Sequence, residues 1–438
     1  MKKFFKVLSI AALSAVMACG FAACGKGGGG GEPDVDKSGN TIVKIMFHVD
    51  ATSNEGQAYK RRIDAFNAAY KDRKIKASAS YQARTEGATG YETELLNKQV
   101  EKTLPDIITF DAPNCASYAK SKLLYDISSL VPKDVKDDFI SLNEYNGKLY
   151  GLPIQESSAG FYYNKKILND AGVDISSYTV ENPWTFDQFK DACAKIKKIG
   201  KTPVHMRLDA TKDETATYLL YPFIYAAGGS FASPDGFTAS GYFDSAATQS
   251  GFQFLKDLVT EGYTNYGIGA SDFCNGQVGL FLSSGWTIPE ITNSKAYEAN
   301  FPNRDAWGIL PYPKGVSTAS ATGSWCYGIT NNHHSDKSAA KELLLWLTSV
   351  ESSAAITTAT GMIPARKSVE THYAAGSPED VLLKQLMTTG KARPTTAAYP
   401  TFSTCFSQII YGMQTKNISD LLRTQTNILQ TEMDKLNK

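Results

Sequence analysis

The stretch Gly279–Trp286 (Gly-Leu-Phe-Leu-Ser-Ser-Gly-Trp) carries the residue type best suited to hold a small hydrated molecule. A short apolar run bounded by turn residues reads as a buried strand. Gly285 lets the chain turn sharply at the strand end, and Trp286 then stands where strand gives way to a helical stretch over 287–298. In open α/β sheets ligands gather outside the carboxyl ends of strands. An indole offers a flat apolar face that can stack on the C–H face of a sugar ring, with an N–H donor at its edge. Trp286 is therefore either such a platform or a core residue, and this stretch by itself leaves both readings open.

Other chemistry finds less support. Cys115, Cys193, Cys274, Cys326 and Cys405 are scattered and contain no C-x-x-C pair, so neither a disulfide framework nor a zinc site follows. They are expected to be buried free thiols. His48, His205, His333, His334 and His372 lack metal-ligand spacing. No metal and no cofactor are expected.

The N-terminus reads as an address. Lys2, Lys3 and Lys6 precede the apolar, small-residue run 7–18, the layout of a secretory signal peptide and too short for a stable span. Phe21-Ala22-Ala23-Cys24-Gly25 resembles a bacterial lipoprotein box, and the glycine tract 27–31 follows it. A glycine tract behaves as a loose coil. The expectation is a signal peptide over 1–23, lipid attachment at Cys24 and a Gly-rich tether over 24–40. Cleavage before Cys24 removes three lysines and no acid, turning the formal charge of +1 into −2. Nothing in that balance suits nucleic acid or an anionic membrane surface. A chain of 438 residues is too large for one ordinary core and suggests two lobes.

The elements that must position a site alternate in type. Residues 41–47 form a β-rich run, 56–70 a helix, 75–81 a second strand, 91–103 a helix and 106–110 a third strand, which argues a parallel α/β sheet. Asn146-Gly147 marks a hairpin turn between 142–145 and 148–152. Thr185 with Gln188 forms a capping box at the start of a helix, which makes Trp184 a packing residue. Residues 203–208 read as a strand ending at Arg207, and 215–227 as an apolar helix stopped by Gly228-Gly229.

Several of these blocks, in this order, resemble a known family. They are Pro105–Ile108 with Tyr118–Ile127, Asn146–Pro153, Phe161–Lys166, Asn182–Phe189, Trp307–Gly315, Thr322–Ile329, Thr360–Arg366 and Arg393-Pro394 through Tyr399-Pro400. The chain from about Thr41 onward is similar to bacterial extracellular solute-binding proteins of the sugar type, the maltose-binding-protein-like receptors of ATP-driven importers. The resemblance implies an α/β fold of two lobes with a ligand cleft between them. Mapped here, lobe one is 41–154 plus 326–361, and lobe two is 155–325 plus 362–438. The crossovers then fall near 155–158, 323–325 and 362–366.

On that mapping Trp286 is the first choice for ring stacking, and Trp325 beside the second crossover is another. Phe110, Asp111 and Asn114 end the third strand, and Gln155 and Glu156 lie in the first crossover. Asp50 and Asn54 follow the first strand, while Arg207 and Tyr399 complete the candidate set. Arg366 and Arg393 are expected to make inter-lobe or structural bonds. Aromatic platforms edged by Asp, Asn, Gln and Arg suit neutral polyols.

The function implied is a lipid-anchored monomer on the outer face of the bacterial cytoplasmic membrane. It would capture a mono- or oligosaccharide and deliver it to the permease of an ABC transporter, without catalysis. The same scaffold holding a polyamine, a glycerol-phosphate compound or a peptide is the alternative. A surface glycoside hydrolase, with Asp111 and Glu156 sharing one cleft, is a further one.

Overall fold

The computed structural model describes residues 32–84, 90–210, 214–323 and 325–437. The expected signal peptide and Cys24 lie outside the described residues. Part of the expected tether does not: Val35 forms an antiparallel bridge with Thr41, and the Asp36 carboxylate accepts from the Ser38 and Asn40 backbone N–H groups.

Two sheets organise the chain. The first has six strands in the order Ile75–Tyr81, Thr41–Phe47, Ile107–Asp111, Trp325–Ile329, Lys148–Pro153 and Asn143–Tyr145. Its first three strands run parallel, as the strand–helix alternation predicts. The fourth returns antiparallel from far along the chain, so the sheet is mixed. Asn146 and Gly147 both have positive φ and close the hairpin at its edge, as an Asn-Gly turn requires. Phe47, stacked on Tyr59 at 4.5 Å, and Phe66 sit in the core between this sheet and the helix Asn54–Ala69.

The second sheet has four strands in the order Trp307–Leu310, Ala159–Asn164, Val278–Ser284 and Thr202–His205. The helix Glu214–Ala226 is buried on nearly every face, because the helices Ala246–Thr260 and Tyr399–Gly412 pack against it and its Phe223 meets Phe161 of the sheet. Thr185 and Gln188 make the reciprocal capping box of the helix Phe186–Lys198, and Trp184 is buried in the core. The expected strand 203–208 is shorter: it ends at His205, and Arg207 turns away with φ +56°.

The chain passes between the two units three times. Ile154 donates its N–H to the Trp325 carbonyl at 2.8 Å. The two-residue strand Gln155–Glu156 pairs antiparallel with Ile363–Pro364. Tyr221 accepts the Thr322 N–H at 2.8 Å. Two placements differ from the sequence mapping by a few residues. Trp325 is the first residue of a strand in the first sheet. Residues 365–368 also stay with that unit, because the Ala365 carbonyl accepts from Ile140 N–H and Arg366 pairs with Asp138 at 2.8 Å.

Gly361 caps the helix Val350–Thr360 in the left-handed region, at φ +71°. A Cβ there would stand 2.8 Å from Pro289 Cδ and 2.9 Å from the Gly285 carbonyl oxygen. The crossover thus touches the turn that carries Trp286. Gly361→Ala is expected to cost about 1–3 kcal/mol of stability. Gly147→Ala serves as its control: the φ is also +71°, but nothing lies within 4 Å of the added carbon. Urea unfolding midpoints should fall further for Gly361→Ala, the difference being the clash.

Candidate functional site

A cavity of about 650 Å³ opens where the strand ends of both sheets meet the crossovers. From the first unit it takes His48, Asp50 and Asn54 after the first strand, Arg84 after the second, and Asp111 and Trp325. Trp325 lies directly opposite Asp111 on the adjoining antiparallel strand, and opposed residues share one face of a sheet. From the second unit come Glu214, Tyr218, Trp286 and Glu290, while Gln155, Ser157, Gly323, Thr360 and Arg393 belong to the crossovers and the segment bonded to them.

Trp286 lines this cavity half-buried, with its ring centroid 6.0 Å from that of Tyr218. The Tyr218 hydroxyl is held by Ser157 Oγ at 2.7 Å. Trp325 also lines it, but the His48 imidazole is stacked on its indole at 3.4 Å and 2°. The Arg84 guanidinium lies over the same indole at 5.0 Å. His48 is held by Thr109 Oγ1, 3.0 Å from its Nδ1. Burial, helped by the nearby Arg84 charge, keeps the His48 pKa well below its ordinary value, so the ring is neutral. Trp325 is thus already part of an aromatic stack.

Asp111 is bound by Arg393 through two hydrogen bonds, at 2.7 and 2.8 Å. The same guanidinium donates to Glu214 Oε1 at 2.8 Å. Arg393 therefore ties a strand end of the first sheet to a helix of the second unit, the inter-lobe bond expected of it. Desolvation works against its charge, but the Asp111, Tyr399 and Glu214 groups outweigh it and hold the guanidinium protonated.

Asp50, Asn54, Asp111, Gln155, Trp286 and Trp325 are brought together here; the other candidates are not. Phe110 points to the opposite face of its strand from Asp111, and its ring packs against Gly151 and Gly328. Asn114 sits in the turn that follows, half-buried and outside the lining. Tyr399 stands behind the cavity wall and donates to Glu214. Arg207 turns its guanidinium over Phe281 at 5.8 Å. Glu156 lines a separate crevice of about 190 Å³ with Glu144, Asn143 and the other side of Arg393. It accepts from the Ser141 hydroxyl. Asp111 and Glu156 thus do not flank one space, and Asp111 is engaged by a cation.

Sequence reasoning passed over His48, Arg84, Glu214, Tyr218 and Glu290. His48 follows a strand end as Asp50 does, so the same rule could have found it. Glu290 falls four residues after Trp286, the spacing that puts two side chains on one helix face. Glu214 and Tyr218 leave no linear trace, since one only precedes and the other lies within the expected apolar helix 215–227. Among the described residues no three His, Cys, Asp or Glu side chains gather as a metal site. No helix among them is long and apolar enough to cross a membrane. The described cysteines are buried free thiols.

Comparison with known proteins places this geometry. Residues 61–384 match the family profile described as bacterial extracellular solute-binding protein. A binding protein of Brucella abortus is 28% identical over 243 residues, covering 53% of this chain and 54% of the relative. The arabinooligosaccharide-binding protein of Bacillus subtilis is 25% identical over 244 residues, covering 52% of this chain and 50% of that one. The chain thus spans about half the length of the curated relatives it matches. The crystal structure of the cyclic alpha-maltosyl-1,6-maltose binding protein from Arthrobacter globiformis shares the fold, with a TM-score of 0.73 at 23% identity. That match covers 91% of this chain and 100% of the other.

Two outcomes follow from the buried charges. Arg393→Ala leaves Asp111 and Glu214 without their cation and is expected to cost about 3–5 kcal/mol, read by urea unfolding. Burial raises Glu156 to about 7, with the Ser141 bond pulling the other way. The native state therefore holds an extra proton between the ordinary carboxyl value and about 7, so stability falls as pH rises through that window. Glu156→Gln should flatten the profile and gain up to about 3 kcal/mol over the parent at pH 8. Urea midpoints at pH 5 and pH 8 check it.

Proposed function

The chain belongs to the family of bacterial extracellular solute-binding proteins, and on that premise we propose that it captures a sugar or oligosaccharide in this cavity for delivery to an ABC transporter permease. The observation that carries the reading is Trp286, an indole standing half-buried in a cavity lined by both units. Such a face gains by stacking on sugar C–H groups, while hydroxyls need mixed donors and acceptors at the edges. Asp50, Asn54, Gln155, Tyr218 and Asn293 are groups of that kind in the lining. A ligand touching both units favours the arrangement that brings them together, and closure is then a population shift set by that differential affinity. Gly323, at φ +151°, and Gly361 are positions where the crossovers can absorb the backbone change.

The reading includes a lipid-anchored monomer, held at Cys24 on the outer face of the cytoplasmic membrane, that binds without turning its ligand over. The relatives named above are themselves binding proteins. The Bacillus subtilis relative is an arabinooligosaccharide-binding protein, in agreement with an oligosaccharide ligand. A phosphate-bearing ligand would call for free cations or backbone N–H nests. The described arginines of the lining, Arg84 and Arg393, are both already paired with carboxylates.

Titration calorimetry of the full chain with malto-, arabino- and chito-oligosaccharides is expected to give saturable one-to-one binding and no product. Trp286→Ala should weaken that binding tenfold or more, about 1.4 kcal/mol, with the unfolding midpoint nearly unchanged. Release of shorter sugars would replace the receptor by an enzyme. Unaltered affinity in the variant would place the ligand elsewhere.

A further inference from the structure

Every cation that the described residues bring to the cavity is paired, yet one acid is not. Arg393 is shared by Asp111 and Glu214, and Arg84 is paired with Glu92 at 3.1 Å. Glu55 accepts from Tyr59 at 2.5 Å, and Asp50 accepts from the Thr52 hydroxyl and N–H. Glu290 lines the same cavity, but its carboxylate accepts no hydrogen bond and makes no ion pair among the described residues. The cation that acts on it, Arg207, lies over the Phe281 ring. Glu290 is exposed to solvent within the lining, and the partial desolvation there raises its pKa, Arg207 only partly offsetting this.

Its position gives the carboxylate a neighbour. The helix Thr287–Asn293 has Trp286 at its N-cap, so Glu290 falls one turn on and Asn293 two turns on along one face. All three line the cavity. A ring stacked on the Trp286 indole would present its edge substituents along that face. A carboxylate there can accept from a hydroxyl, pairs more strongly with an ammonium, and repels a second anion.

We infer that Glu290 makes the cleft charge-selective: it favours a sugar bearing an ammonium group beside the ring stacked on Trp286 and rejects one bearing a carboxylate there. This rests on the sugar-binding reading and deepens it, naming a ligand class and the residue that chooses it. The mechanism is electrostatic, so the preference should shrink as salt screens it.

The test begins with the neutral disaccharide that the full chain binds tightest among maltose, cellobiose, arabinobiose and N,N′-diacetylchitobiose. Its amino-sugar and uronic-acid counterparts are then titrated at 20 mM and 500 mM NaCl. At low salt the amino form is expected to bind about fivefold tighter than the neutral sugar and the uronate at least tenfold weaker. Glu290→Gln should bring the three affinities within about twofold of one another. Equal binding of the three by the parent would overturn the inference and leave the sugar-binding reading standing, as would an order that survives Glu290→Gln. Binding of none of the neutral sugars would overturn both.

Discussion

The guanidinium of Arg393 holds the two units in register, because among the described residues no other group on the cavity wall bonds a carboxylate from each. It is almost wholly buried, with Asp111 on one side and Glu214 on the other. Three charges removed from water would be costly singly. Here the fork of the guanidinium meets Asp111 with two parallel bonds, and Glu214 is further bonded by Tyr399 and Ser403. Charge-assisted bonds of that geometry are the strong ones. Arg393 also lies against Gly323, where a Cβ would stand 2.7 Å from its Nη2. A crossover without a side chain is thus the condition for the ion pair beside it.

The same economy governs the aromatic groups. Three stretches far apart in sequence supply the stack of Trp325 on His48, with Arg84 over the same indole and Tyr91 at its edge. That stack is a wall, since its faces are engaged within the protein. Trp286 differs because it follows a tight backbone contact, Gly285 against Gly361, which leaves the indole at the start of a short helix and half-buried. The two tryptophans have similar sequence surroundings, and their neighbours in space set them apart.

Polar groups divide in the same way between front and rear. Facing the cavity are mixed donors and acceptors, with one carboxylate left unbonded among the described residues. Behind the crossover, Glu156 sits in a narrow crevice where burial favours its neutral form. Both acids follow from their surroundings: the first has room for a ligand, and the second has only Ser141.

Much of the scaffold was legible in the sequence. Alternating strand and helix patterns, the Asn146-Gly147 turn, the Thr185–Gln188 box and the apolar helix before Gly228 are local signals, set by backbone preference and side chains a few residues apart. The order of the motif blocks gave the two-unit fold, and the strand-end rule brought Trp286, Asp111, Asp50 and Asn54 to the cavity. What only the tertiary structure decided is which side of each element faces inward and what meets it there. Phe110 and Asp111 are adjacent in sequence and opposed in space, because a pleated strand alternates its side chains. Asp111 and Arg393 are separated by 282 residues, Glu214 hides in an apolar helix, and no pattern of spacing encodes a pair formed by folding. Sequence carries the periodicities that build elements; the chemistry of a site depends on distances between elements, and those exist only once the chain has packed.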